Sequence, residues 1–201
     1  YIGCDEPAIA QVGRLKGYRQ ALRDSGLPFE KRLTNRVSHG RPALEAVYKL
    51  LDDTHPDGVF TFNDARAVYV YDYAFQHGLT IGKDLSVIGV DNHEVICDTT
   101  VPALTSVELP HYEMGFWGAC KVISMIEGAD PIEQERVTPS YNAASMPPLD
   151  TDGPARIHCA IVEKESIVGG PRTHDDSEPA QTAGSDANPS SSASADAHDA
   201  P

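Results

Sequence analysis

Hydrophobic positions along the chain change their period from segment to segment, and the changes mark an alternation of strands and helices. After a strand-like opening at Tyr1-Ile2-Gly3, the residues Ile9, Val12, Leu15, Tyr18, Ala21 and Leu22 recur at three- and four-residue spacing. That spacing is one face of a helix, and Ser25-Gly26 stops it. Pro42 suits a first helical turn, and Leu44, Val47, Leu50 and Leu51 give a second apolar stripe. Pro56-Asp57-Gly58 then turns the chain into a strand over Val59–Phe62. Asn63 or Asp64 can cap the helix that follows, which runs to Gly78. Leu85–Val90 is a short apolar run suited to a strand buried on both faces. Leu104–Val107 reads as another strand, and Pro110 starts a helix through Met114, Ala119, Val122, Ile123 and Ile126 that Gly128 closes. Ile157–Val162 is a last strand candidate. The alternation predicts an α/β fold, an open and mostly parallel sheet with helices on both faces.

Two regions break the pattern. Ser140–Pro154 carries prolines among Asn, Ser and Asp and reads as an irregular excursion. From residue 170 the composition falls to Ser, Ala, Asp, Pro, Thr and Gly, too poor in large apolar groups to offset ordering entropy. The expected organisation is therefore one folded unit over 1–169 and a disordered acidic tail over 170–201.

Charge narrows the function. The formal net charge is −14, and no Lys/Arg cluster supplies the basic stripe that a duplex-binding surface needs. These residues are not expected to bind DNA by themselves. No run of 18 apolar residues exists, so no spanning helix is predicted. Cys4, Cys97, Cys120 and Cys159 include no C-x-x-C; four reduced thiols are expected, with an extracellular pair as the other reading. His93-Glu94 with Cys97-Asp98 has zinc-type ligands but lacks the paired spacing of a zinc site, and no metal or cofactor is expected. His111 and Glu113 do not assemble a nucleophile, base and orienter, which argues against an enzyme.

The chemistry concentrates in Phe62–Asn92. Asn63-Asp64 and Asp91-Asn92 each sit just past the carboxyl end of a hydrophobic strand, the edge where open α/β sheets bind ligands. Asn63 offers an acceptor and donors for neighbouring hydroxyls, a role compatible with capping its helix. Asp91, ionised, accepts only and selects hydroxyl groups; a turn aspartate before the loop is the blander reading.

Several stretches together resemble the effector-binding domain of the lactose-repressor/galactose-repressor (LacI/GalR) family of transcription regulators. Arg14-Leu15-Lys16-Gly17-Tyr18 is similar to the family's R-x-x-G-[FY] helix, and Pro56–Asp64 to its strand leading into an N-D pair. Pro102–Val107 resembles P-P-L-T-T-V, Met114-Gly115 the M-G start of the next helix, and Val162–Ser166 a variant of the R-x-S ending with Lys164 in the arginine's place. The match runs from about Tyr1 to Ser166. It implies a periplasmic-binding-protein-like fold, mainly its carboxyl-side lobe, with roughly Ala103–Gly128 passing through the other lobe. The chain is expected to be a fragment, the helix-turn-helix and most of that other lobe lying elsewhere.

The resemblance also implies a function: a cytoplasmic, non-enzymatic sensor holding a small carbohydrate between lobes and reaching operator DNA only through the helix-turn-helix. It brings Arg14 into the cleft beside Asn63 and Asp91. The family's aromatic stacking position falls near Ser38–His39, making His39 the candidate there. A homodimer is implied too. The helix over Asp64–His77 is apolar on more than one face, and Val68, Tyr69 and Asp72 are the interface candidates, with a crowded monomer core as the other reading. A periplasmic-type sugar-binding protein of a transport system is the alternative.

Overall fold

The structure is a computed structural model and describes residues 1–6, 8–137, 146–151 and 153–169. The elements are β1 (Ile2–Cys4), α1 (Ile9–Asp24), a 3-10 turn (Lys31–Leu33), β2 (Asn35–Val37), α2 (Arg41–Thr54), β3 (Gly58–Phe60), α3 (Asp64–Gln76), β4 (Ser86–Asp91), α4 (Glu94–Cys97), β5 (Thr105–Glu108), α5 (His111–Glu127) and β6 (Ile161–Val162). The pairs β1–β2, β3–β4 and β4–β5 are parallel, and β6 adds antiparallel to β5. A parallel bridge between Ile2 and Thr61 joins the two ladders, and the Phe62 N–H donates to Ile2 O at 2.7 Å. The strand order is then 2-1-3-4-5-6, with the reversal between β1 and β3. The segment 170–201 lies outside the described residues, as does much of the Ser140–Pro154 excursion.

The core is built from the runs that the periodicity marks. Val47 and Leu51 of α2, Val70 and Ala74 of α3 and Val87 of β4 close around Ile2 and Leu104. No residue of β4 is exposed: Val87, Gly89 and Val90 are buried and Ser86, Ile88 and Asp91 half-buried, as in a sheet covered on both faces.

Helix α1 departs from expectation. Its apolar stripe faces the sheet only in part: Ile9, Val12 and Ala21 are exposed, Leu15, Tyr18 and Leu22 half-buried, and Gln11 is the one buried residue of the helix. Polar anchors set the rotation. Gln11 Oε1 accepts from the Cys4 N–H at 2.8 Å and the Tyr1 hydroxyl at 3.0 Å. Tyr18 stacks on Tyr1 with centroids 5.5 Å apart, and Arg14 reaches a carbonyl of the β3 end. Gln11, Arg14 and Tyr18 share a helical face and outcompete the aliphatic one. Helix α5 also carries Met114, Val122, Met125 and Ile126 exposed.

The Val162–Ser166 ending stitches the sheet from behind. Ser166 Oγ accepts from the Thr105 N–H at 2.8 Å and donates to Val87 O at 2.6 Å. Gly82 lies beneath this segment with φ +80°, and a Cβ there would stand 2.1 Å from Glu165 O. Gly82→Ala combines a backbone clash with a left-handed conformation, each worth about 1–3 kcal/mol. Urea unfolding is expected to show a loss of about 2–4 kcal/mol.

Candidate functional site

Ligand crevices in open α/β sheets form outside the carboxyl ends of strands where the strand order reverses. Here that point lies between β1 and β3, and the chain delivers three of the four expected ligand residues to its vicinity. Asn63 follows β3 and caps α3, its Oδ1 accepting from the Arg66 N–H at 3.3 Å. Arg14 comes across from α1. Its Nη1 donates to Phe62 O at 2.6 Å, and its guanidinium carbon lies 4.4 Å from the Phe62 ring centroid. Asp91 ends β4, with an Oδ1 3.6 Å from Arg14 Nη2. Arg14 and Asp91 come together as an ion pair, with Asn63 following Phe62 on the strand end that Arg14 grips.

Asp91 has φ +109° and Asn92 φ +49°, conformations that side-chain-bearing residues seldom adopt outside functional or tightly determined sites. Burial pushes the Asp91 carboxyl above the usual range; Arg14 opposes this, Asp64 adds to it, and His111 and His93 oppose it in turn.

Asp64 holds this strained turn in place. It is buried. Its Oδ2 accepts from the His93 N–H at 2.7 Å and the Cys97 thiol at 3.4 Å, and its Oδ1 from the Ser106 hydroxyl at 2.6 Å. Ser106 Oγ in turn accepts from the Asn92 N–H at 3.1 Å. Gly89 makes room for the carboxylate, since a Cβ there would sit 2.0 Å from Oδ1. The Cys97 thiol is pushed up to about 12 by burial first and then by Asp64, so it stays a neutral donor. Cys97 is therefore spent on Asp64, and Asp98 pairs with Lys164; among the described residues no cluster of three metal-type ligands forms.

His39 shares no hydrogen bond or ion pair with the other three. It precedes α2, its side chain is exposed, and its Nε2 lies 3.2 Å from Glu6 Oε1. The aromatic ring beside Arg14 is Phe62, which carries no motif of its own. Arg66 lies there too, its guanidinium carbon 5.2 Å from the same ring centroid. The signal available in the sequence was its place one helical turn past the cap, which turns it back toward the strand ends.

On α3, Tyr69 Oη accepts from the Gly40 N–H at 3.0 Å and Asp72 accepts from Tyr48 Oη at 2.7 Å. Both spend their polar atoms inside the chain. Val68 and Phe75, seven residues apart, are the large apolar groups that α3 exposes.

The family model of the periplasmic binding protein-like domain matches residues 1–143. The HTH-type transcriptional regulator DegA of Bacillus subtilis (strain 168) is 34% identical over 112 residues, covering 55% of this chain and 33% of that protein. Catabolite control protein A of Priestia megaterium is 37% identical over 116 residues, covering 56% and 34%. Among solved structures, a regulatory protein of the LacI family from Chloroflexus aggregans superposes with a TM-score of 0.56 at 29% identity, covering 65% of this chain and 47% of that one. The matches to these two curated relatives span about a third of their length. The chain belongs to the family of the periplasmic binding protein-like domain, and it is similar to HTH-type and LacI-family transcriptional regulators.

Proposed function

We propose that this chain is the effector-sensing part of a transcriptional regulator and that it binds a small polyol, a sugar or sugar derivative, at the β1/β3 switch point. The observation that carries the reading is the Arg14–Asp91 pair at the carboxyl ends of the strands, held 3.6 Å apart by a turn with two positive-φ residues. Asp91 supplies an acceptor for hydroxyls, Arg14 a rigid fork of donors, and Asn63 an amide. Such a set recognises vicinal hydroxyls and offers no nucleophile for turnover.

The exposed apolar side chains of α5 fit a helix that packs into a second lobe, which would close the crevice from above. The effector then shifts DNA binding because the two lobe arrangements hold it with different affinity. Operator contact belongs to a helix-turn-helix outside these residues, and Val68 with Phe75 marks the face of α3 for a homodimer.

Titration calorimetry with a panel of neutral mono- and disaccharides tests the site. Arg14→Ala is expected to weaken the best ligand by roughly tenfold or more, the size of a charge-assisted hydrogen bond. In the intact regulator it should leave operator binding in place and blunt the response to effector. Unchanged affinity in this variant would remove Arg14 from the site.

A further inference from the structure

Arg66 is the bulkiest of the fully buried side chains, with 1% of its surface exposed. Its hydrogen bonds run to the Asn63 amide oxygen at 3.1 Å, the Cys4 sulfur at 3.3 Å and the carbonyls of Val37 and Ser38 at 3.4 Å each. Its Nε has no partner. No carboxylate among the described residues comes within ion-pair distance of it. A buried cation without a counter-ion is one of the most expensive features a fold can carry. This one sits where β1, β2 and β3 end, beside the ligand crevice, and shares the Phe62 ring with a second guanidinium, that of Arg14. Two cations on one ring repel each other, and Asp91 faces only Arg14.

Arg66 also decides what Asn63 can offer. The Asn63 oxygen is occupied twice by Arg66, through its backbone N–H and its Nη1, so the amide N–H groups are what remains for a ligand. The wall formed by Arg14 and Asn63 is therefore a wall of donors, with Arg66 adding positive potential behind it.

We infer that the effector carries an oxyanion, a carboxylate or a phosphate, received by Arg14 and Asn63 in the field of Arg66, while Asp91 takes its hydroxyls. The inference rests on the polyol reading of the crevice and narrows it to acidic sugars or sugar phosphates. Arg66 acts as a positioning residue: it does not touch the ligand, it orients Asn63 and supplies uncompensated charge in a poorly solvated place where charge is weakly screened.

The test is titration calorimetry on the full chain with matched sets: neutral aldoses such as glucose and ribose, the corresponding aldonates, and the corresponding sugar phosphates, each at low and high salt. At least one acid is expected to bind roughly ten- to a hundredfold tighter than its neutral parent, with salt reducing the difference. The aldonate and phosphate arms separate the two oxyanions. Arg66→Met, which keeps bulk and removes charge, is expected to weaken the acid far more than its neutral parent and bring the two to near parity, a selective loss that a merely structural arginine would not produce. Neutral sugars binding as well as every acid would overturn the inference and leave the polyol site standing, as would an acid preference that survives Arg66→Met. Binding of no sugar of any kind would overturn both readings. Should Arg66→Met fail to fold, the wild-type preference and its salt dependence decide.

Discussion

Asp64→Ala is expected to destabilise the protein by about 3 kcal/mol or more and to loosen the proposed ligand site with it. The carboxylate is buried and accepts from the His93 N–H, the Cys97 thiol and the Ser106 hydroxyl, which come from the turn after β4, from α4 and from β5. Alanine leaves these donors without an acceptor, in a place from which water is excluded; each orphaned buried donor costs about 1–3 kcal/mol. Part of that is returned, because a buried negative charge disappears too. Asp64→Asn separates the two effects. It keeps one oxygen for His93 and Cys97 and can donate to Ser106 Oγ, so its loss should be nearer 1 kcal/mol. Urea unfolding followed by circular dichroism reads both. Equal losses for the two variants would show that the charge, and not the pattern of acceptors, is what the network requires. Because Asp64 fixes the strained turn at Asp91 and Asn92, ligand affinity should fall in Asp64→Ala even at temperatures where the variant stays folded.

Asp64 and Arg66 also show where a sequence stops being legible. The order of strands and helices followed from hydrophobic period and from punctuation. Gly128 closes α5 in a left-handed conformation, and Asn63 caps α3, each as its residue type implies. The short strand β2 and the turn before it had no such signal: Asn35-Arg36-Val37 is polar at two positions of three, and its pairing with β1 comes from the register of the sheet. The rotation of α1 is not legible, because an aliphatic stripe is normally the buried one, whereas Gln11 and Arg14 are held by specific backbone partners on β1 and just past β3. That Arg14, Asn63 and Asp91 lie together near the strand ends is legible from motif and from where the apolar runs stop. His39 is suggested only by its position before α2, and its exposed ring lies against Glu6. Phe62 and Arg66 carry no motif of their own; their roles arise only when the ends of β1, β2 and β3 meet.

Asp91→Asn is expected to separate ligand recognition from stability, moving them in opposite directions. Asparagine tolerates positive φ better than other side chains, so the turn at φ +109° should survive the change, which an alanine there would not guarantee. It removes the anionic acceptor facing Arg14, and binding of a hydroxyl-rich ligand should weaken by roughly ten- to a hundredfold. Stability should rise slightly at neutral pH. Burial raises the Asp91 carboxyl above its ordinary range, with Arg14 only partly opposing it, so the folded state holds this proton more tightly than the unfolded chain does. For a raised carboxylate the destabilising contribution is fully present above the folded-state value and vanishes below the unfolded one. The advantage of Asp91→Asn over wild type should therefore shrink as the pH falls from neutral through the upper carboxylate range and be gone in strong acid. Paired urea titrations across that range, with calorimetry at neutral pH, measure both halves. A variant that loses stability at neutral pH would mean that the Arg14 pair outweighs burial and that Asp91 is held there for the fold. Weaker binding with undiminished stability would mark Asp91 as a residue that the fold carries for the ligand.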